Sequence, residues 1–353
     1  MKFRLTAAAV CGGVALCIGG AALAQTAADD PLATAMKALE ADPVAGLAAF
    51  ERLAAAGEAE AMNMVAIIIN DPPPGIPADP ERAERLWEQA LAAGSKGARL
   101  NLGARLLLND ATDDDARAVE MLSDVEPEFI PYAAHPLGRA YLFGHGVEQD
   151  LERGSRLMEM AVEASPGNMD AQFLLARAYQ NGWGIPVDSV AAYRHMKIAA
   201  DAGDERAQWN VGMMLLDGVG VTANATLARE YVRRSAEAGH DDGMTSMAVM
   251  LALGQGGPVD APGARVWYER AARDGSAHAL RGLGMMILVG EGGDADLATG
   301  AAYLQLAAEG GDGPARTLQR QLASEIAAAD PLKVRRTREQ WLAANPRPST
   351  DSP

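Results

Sequence analysis

A repeat of about 36 residues recurs along almost the whole chain, and this periodicity constrains the fold more than any single residue does. Each repeat opens on a small residue, and successive openings lie 35 to 38 residues apart. The opening residues are Ala61, Ala98, Ala133, Ala171, Ala207, Gly243, Ala279 and Ala315. Self-similarity at this period is typical of a solenoid, in which each repeat buries its apolar face only against its neighbours. Because solenoids usually serve as binding surfaces, the pattern favours a binding protein over a catalyst.

Each repeat is predicted to be an αα-hairpin. In the repeat that opens at Ala171, apolar residues at spacings of three and four predict a first helix. Gly182 and Gly184 then form a break, because glycine adopts the left-handed conformation that ends helices at no steric cost. Asp188, and Asn224 one repeat later, precede the second apolar run as predicted N-caps. No stretch reads convincingly as a strand.

One motif recurs in these hairpins: Leu-Gly, a Tyr or Leu, Gly-x-Gly-Val, Asp-x-x-x-Ala, and aromatic residues before Ala-Ala-x-x-Gly. The repeat at Ala133 carries it in Leu137, Gly138, Tyr141, Gly144, Gly146, Val147, Asp150 and Ala161. The motif resembles the Sel1-like repeat, a relative of the tetratricopeptide repeat, over roughly residues 43–330. The resemblance implies an all-α fold, a right-handed α-solenoid of αα-hairpin repeats.

The repeats divide the chain into five predicted segments. These are a signal peptide at residues 1–24, an N-terminal capping hairpin at 25–60, seven Sel1-like repeats at 61–311, C-terminal capping helices at 312–344, and a disordered tail at 345–353. The C-terminal capping helices are predicted from Ala315 to Ala328 and from Pro331 to Ala344. Two repeats depart from the pattern. The first inserts residues 72–75 (Pro-Pro-Pro-Gly) in its hairpin loop, and the second helix of the second repeat is expected to stop before Pro127.

The N-terminus has the features of an export signal. Lys2 and Arg4 form a basic region, an apolar stretch of small residues follows, and residues 22–24 read Ala-Leu-Ala before Gln25. This arrangement predicts a Sec-type signal peptide, with a retained membrane anchor as the alternative. The mature chain is therefore expected in the periplasm or outside the cell.

The cysteine content and the net charge limit the classes of partner and bond that the mature chain can have. Cys11 and Cys17 both lie in the predicted signal peptide, so the mature chain would have no thiol and no disulfide. Cleavage removes two basic residues and no acid, which changes the net charge from −16 to −18. Such acidity disfavours nucleic acid and anionic lipid. We expect the mature chain to bind a protein or peptide partner and to hold no cofactor. We also expect that it does not insert into a membrane after cleavage.

No catalytic or metal-binding constellation emerges from the sequence. The five histidines are spread over four repeats and form no His-x-x-x-His pair. No Gly-x-Ser-x-Gly elbow is present, and the Gly-x-Gly loops lack a preceding strand and a Walker lysine. Asp294 and Asp296 are interpreted as part of a helix cap rather than a calcium loop, because the closing glutamate is missing. The sequence therefore predicts no catalytic residue, no metal site and no enzyme.

One repeated position is the candidate for partner binding. It follows the Leu-Gly pair, and the resemblance implies that it faces the concave side of the solenoid. Its occupants are Arg139, Arg177, Met213, Val249 and Met285. Methionine suits such a surface because its unbranched thioether repacks easily. The alternative is that the apolar members and the residues after them, Met214, Met250 and Met286, all belong to the core.

Four further residues lie on the same first helices, namely Phe173, Trp209, Gln172 and Gln208. They are expected either to border a groove or to pack between repeats. Together these features predict an exported adaptor or regulator that binds a protein or peptide, such as an envelope protein, on the concave face.

Two alternatives remain. The first is a cell-wall or β-lactam-type ligand binder or hydrolase, an activity that the resemblance associates with disulfide-rich members. The missing cysteines and the absence of a Ser-x-x-Lys motif weaken it. The second is a purely structural scaffold of the envelope, which the sequence does not separate from an adaptor.

Overall fold

The computed structural model describes residues 30–108 and 114–345. The predicted signal peptide and almost all of the predicted C-terminal tail lie outside these described residues. Within the described ranges the chain forms 19 α-helices and one short 3-10 helix, and no strand occurs there. The prediction of an all-α fold built from αα-hairpins, the α-solenoid class, is confirmed.

The chain divides into two compact units, which meet in sequence between Val187 and Asp188. The helices of the first unit are α1 Pro31–Ala41, α2 Pro43–Ala55, α3 Ala59–Asn70, α4 Pro80–Ala92, α5 Lys96–Leu108, α6 Asp115–Ser123, α7 Ile130–Phe143, α8 Leu151–Ala164 and α9 Met169–Asn181. The 3-10 turn Pro127–Phe129 precedes α7. Helices α1 and α2, α3 and α4, α5 and α6, and α7 and α8 pack as hairpins.

The second unit continues the same alternation. Its helices are α10 Ser189–Ala202, α11 Glu205–Asp217, α12 Ala225–Glu237, α13 Asp241–Leu253, α14 Ala261–Arg273, α15 Ala277–Val289, α16 Leu297–Glu309, α17 Gly313–Gln321, α18 Ala323–Ala327 and α19 Pro331–Ala344. Helices α11 and α12, α13 and α14, and α15 and α16 form hairpins, and α17 and α19 pack on α16.

Small residues set the distance between the two helices of each hairpin. A Cβ atom at Gly212 of α11 would overlap the side chain of Val232 on α12. Gly138 of α7 has the same relationship to Met158 on α8. The glycine of the Leu-Gly pair therefore lets the second helix approach closely, and the partner side chains are fully buried.

A second glycine position joins consecutive hairpins. Gly220 has φ 70°, and a Cβ atom there would overlap the carbonyl oxygen of Ser189, at the start of α10. Gly256 has the same φ region and the same relationship to Ala225, at the start of α12. At each joint the Gly-x-Gly loop thus lies directly against the backbone of the preceding repeat.

The predicted N-caps are confirmed. The Asp188 carboxylate accepts hydrogen bonds from the backbone of Val190 at 2.9 Å and Ala191 at 3.0 Å. Asn224 accepts one from Leu227 at 3.0 Å. These contacts satisfy amide groups that the first turn of a helix leaves without a partner.

The irregular regions behave partly as expected. Helix α6 ends before Pro127, as predicted, and the 3-10 turn connects it to α7. A single helix expected from Ala315 to Ala328 is instead two helices, because Leu322 leaves the helical conformation (φ −97°, ψ 18°). The assignment of terminal hairpins as caps and of the repeat boundaries stays a prediction.

Candidate functional site

The first helices of the second unit bring the predicted binding positions onto one surface. Met213 on α11, Val249 on α13 and Met285 on α15 are each half-buried. The residues that follow them are 4%, 2% and 5% exposed and belong to the core: Met214, Met250 and Met286. The two neighbouring positions therefore differ, because a helix turns about 100° per residue and only the second points fully inward. The interpretation that all six are core residues is not supported.

An open groove lies at this surface, with a volume of about 300 Å³. It is lined by Trp209, Met213, Leu216, Asp242, Thr245, Ser246, Val249, Met250, Gln255, Ser276 and His278. Helices α11 and α13 supply most of this lining, and the loop after α13 and the N-terminal end of α15 supply the rest. Two of the predicted residues, Met213 and Val249, thus share one groove with Trp209, for which a place at the border of a groove was one of two expectations.

Two contacts hold the indole ring of Trp209 in place. Its indole Nε1 donates a hydrogen bond to the hydroxyl of Ser246 on α13 at 2.9 Å. Its ring centroid lies 5.7 Å from that of His240. His240 is itself fixed as the N-cap of α13, where its Nδ1 accepts a hydrogen bond from Gly243 at 3.1 Å. The largest apolar surface of the groove is therefore pre-organised.

A polar rim surrounds the apolar floor. It consists of Asp242, Thr245, Ser246, Gln255, Ser276 and His278. None of these residues was predicted as a site residue, because polar side chains on exposed helix faces have no distinguishing period. A helical register anchored on Met213 and Val249 would have found Thr245 and Ser246, which lie one turn earlier on α13.

This arrangement is suited to binding rather than to chemistry. Apolar side chains that provide contact area, combined with polar groups that fix orientation, are typical of a recognition pocket. A groove of this volume accommodates one or two side chains of a peptide. Within residues 30–108 and 114–345, no set of three His, Cys, Asp or Glu side chains is arranged to hold a metal ion.

The other predicted residues lie elsewhere. Met285 occupies the equivalent position on α15 but does not line the groove. Arg139 and Arg177 lie in the first unit, on α7 and α9. The structure thus brings two of the five predicted residues together in the groove, and the binding role of all five stays a prediction.

Arg139 takes part in a charged cluster. Its guanidinium donates to Asp170 at 2.7 Å, and Nε2 of His135 lies 2.9 Å from the same carboxylate oxygen. Burial alone would raise the pKa of Asp170, but the hydrogen bond with His135 and the charge of Arg139 outweigh it and hold this pKa well below its usual range. Asp170 is therefore ionised and positions Arg139.

Gln172 and Gln208 do not border a groove, and pack between helices instead. Gln208 is 5% exposed and donates to the carbonyl oxygen of Ala200 at 3.2 Å. Gln172 is 1% exposed and donates to the carbonyl oxygen of Pro166 at 2.8 Å. Each amide satisfies a carbonyl at or just beyond the end of the preceding helix, so both residues have a structural role.

Hairpins in series, with an apolar groove on their first helices, define a helical repeat protein of the interaction class. A family model described as Sel1 repeat matches six segments: residues 59–95, 131–166, 170–204, 205–240, 241–276 and 277–312. These segments make up more than half of the chain, so the chain belongs to the Sel1 repeat family. Such proteins typically mediate protein–protein interactions and are generally non-enzymatic scaffolds. The predicted second repeat, which opens at Ala98, is not among the matched segments.

Two solved structures show the same fold. One is a protective antigen of uropathogenic Escherichia coli strains displaying an SLR fold, with 24% identity and a TM-score of 0.67. The match covers 85% of this chain but only 63% of the E. coli chain. The other is a Sel1 repeat protein from Oxalobacter formigenes, with 25% identity, a TM-score of 0.57, and coverage of 87% and 85%. No curated protein matches the sequence significantly.

Among the described helices, none has both the length and the apolar character needed to cross a bilayer.

Proposed function

We propose that this chain is an exported adaptor that binds a protein or peptide partner on the concave face of its Sel1 repeats. The groove of α11, α13 and α15 is the proposed contact surface in the second unit. One observation carries the proposal: Met213 and Val249, selected from the repeat pattern and the family resemblance, line a common groove with Trp209. An apolar side chain of the partner would lie on this floor, and the polar rim would bind its backbone.

Export rests on the N-terminal sequence. The basic residues, the apolar stretch and the Ala-Leu-Ala site support cleavage before Gln25 and a periplasmic or secreted mature protein. The mass of the protein recovered from fractionated host cells tests this part separately. A full-length mass would support a retained anchor instead.

Photo-cross-linking in the native host tests the groove directly. A photoreactive amino acid at Met213 should cross-link to a partner, whereas the same residue at Val266 should not. Val266 is a matched control because it is apolar and 65% exposed but lies on α14, outside the groove. Equal cross-linking at both positions would contradict a specific surface.

A charge placed in the groove gives a second test. Val249→Glu should abolish capture of the cross-linked partner, because burying an unpaired carboxylate in an apolar contact is costly. Val266→Glu should leave capture unchanged.

A purified mature protein is also expected to give a flat trace with the β-lactam substrate nitrocefin. Steady turnover would favour the hydrolase alternative.

A further inference from the structure

Four side chains of the first unit form a continuous row of cations and rings. The ring centroids of Phe143 and Trp183 lie 6.5 Å apart in an edge-to-face arrangement. The Cζ atom of Arg139 lies 5.9 Å from the Phe143 centroid, and that of Arg177 lies 5.9 Å from the Trp183 centroid. We call Arg139, Phe143, Trp183 and Arg177 the arginine–aromatic row.

The two guanidinium groups of the row differ in their charge balance. Arg139 is neutralised by its ion pair with Asp170 at 2.7 Å. Arg177 contacts the ring of Trp183 and forms no ion pair with any carboxylate in the described part of the chain. The row therefore has one cation that is stacked and oriented but not neutralised, on a chain whose net charge is −16.

The aromatic part of the row is firmly held. The carbonyl oxygen of Trp183 accepts a hydrogen bond at 2.6 Å from the hydroxyl of Ser155, which is fully buried on α8. Gly184 has φ 67°, and a Cβ atom there would overlap the backbone of Glu152. The loop that carries Trp183 thus lies directly against α8. Little backbone freedom of this loop therefore remains to be lost on binding.

Phe143 gives the row an apolar contact surface. It is the last residue of α7 and is 44% exposed, which is unusual for a phenylalanine. A ligand side chain placed against Phe143 and Trp183 would therefore bury apolar area that water now covers.

We propose that the arginine–aromatic row binds a partner segment in which a carboxylate lies next to an apolar side chain. The carboxylate would pair with Arg177, whose planar fork matches it in geometry and charge. The apolar side chain would pack on Phe143 and Trp183. This surface goes beyond the groove proposed above, since it lies in the other unit and selects a different chemistry.

The choice of occupant follows from charge complementarity. A basic segment would be repelled by Arg177, and a neutral one would leave its charge without a partner in a half-buried site. Because the chain as a whole is acidic, a generally acidic segment would be repelled at long range. Only a segment whose carboxylate reaches the row should overcome this repulsion.

Fluorescence anisotropy with two short labelled peptides tests the proposal. One peptide pairs glutamate with phenylalanine, and the other replaces each glutamate with glutamine. With mature protein from Gln25 onward, the glutamate peptide is expected to bind about tenfold more tightly, since one charge-assisted pair is at stake. The preference should weaken with added salt.

Variants of Arg177 assign the contact. Arg177→Gln should lower the affinity for the glutamate peptide about tenfold and remove the preference over the glutamine peptide. Arg177→Lys should retain part of the affinity, because it keeps the charge but loses the planar fork. Arg194→Gln is the matched control, because its guanidinium is exposed on α10 and contacts His195 rather than an aromatic ring of the row.

Three results would overturn the proposal. The first is that the glutamate peptide shows no measurable binding, and the second is that both peptides bind with equal affinity. The third is that Arg177→Gln and Arg194→Gln lose affinity for the glutamate peptide equally. Val249→Glu keeps the two proposals distinguishable. If it abolished peptide binding while Arg177→Gln did not, the peptide would belong to the groove, so the row proposal would fail and the proposed function would stand.

Discussion

Trp209 and Ser246 are joined by a hydrogen bond of 2.9 Å that connects the first helices of two consecutive repeats. The bond fixes the indole ring where it lines the groove, so one contact serves both repeat packing and the shape of the site.

A double-mutant cycle should measure this contact. Trp209→Phe and Ser246→Ala each remove one end of the bond, so the double variant should lose less stability than the sum of the single losses. The coupling is expected to be about 0.5–1.5 kcal/mol, the net value of a typical hydrogen bond. Chemical denaturation of the four proteins gives the free energies of unfolding. Strictly additive losses would contradict an energetic role for the bond.

The joint between repeats predicts a strong effect at Gly220. Gly220→Ala should be destabilising for two reasons, namely a positive φ and overlap with the backbone of Ser189. Gly239→Ala is the control, because Gly239 has φ 96° but no atom within 4 Å of the added Cβ. The conformational part should cost about 1–2 kcal/mol at both sites. Thermal unfolding should therefore show a larger loss at Gly220, and equal losses would contradict the close contact.

The Asp170 cluster predicts a pH dependence. Because the pKa of Asp170 is lowered in the folded state, its contribution to stability is complete above the unfolded pKa of about 4 and is lost as pH falls further. Asp170→Asn should thus be less stable than the original chain near neutral pH, by about 1.5–3 kcal/mol for charge-assisted hydrogen bonds.

The difference between the two proteins should shrink as the pH is lowered below about 4, because Asp170 is then protonated in the unfolded chain while the folded chain still holds it ionised, which favours unfolding. Melting temperatures measured across this range check the trend. Glu163→Gln, at an exposed position of α8, provides the comparison and should change stability little. A difference that stayed constant down to acid pH would exclude the ionised carboxylate as its source.

A buried polar network near the N-terminal end predicts a large loss at Asn63. Its Oδ1 accepts hydrogen bonds from Trp87 Nε1 at 3.1 Å and Asn101 Nδ2 at 2.8 Å. All three side chains are buried, so Asn63→Ala should leave two donors unpaired at about 1–3 kcal/mol each.

Adding Trp87→Phe to Asn63→Ala tests that explanation, because it removes one unpaired donor. The double variant should recover part of the polar loss in denaturant titrations. Asn210→Ala is the control, since Asn210 makes a local bond to the Arg206 carbonyl on a half-buried face. A loss at Asn210 as large as that at Asn63 would argue against the network.

The fold followed from the sequence because its causes are local and repeated. The period, the glycine breaks and the caps at Asp188 and Asn224 each depend on a few neighbouring residues, and each recurs. The break at Leu322 was missed because neither glycine nor proline marks it. The buried roles of Gln172 and Gln208 were left open, because a glutamine reads as polar surface until its carbonyl partner is known.

The candidate site was predicted only in part. Repeat alignment separated Met213 from Met214, since adjacent helix positions face different directions. It could not show that Met285 lies outside the groove. On the side of α15, the groove is lined by Ser276 and His278, at the N-terminal end of that helix. The sequence also could not predict the arginine–aromatic row, because its members come from two helices and a loop. These members are Arg139, Phe143, Trp183 and Arg177.

The glycine joint also bears on how such a chain changes length during evolution. A hairpin with this joint offers a glycine to the hairpin before it and a helix start to the hairpin after it, as Gly256 and Ala225 illustrate. A duplicated hairpin therefore carries both halves of the joint and can be inserted without compensating substitutions. A deletion that is not a whole repeat would separate the halves. Families built on this joint should gain and lose complete hairpins. Each hairpin gained should add new binding surface.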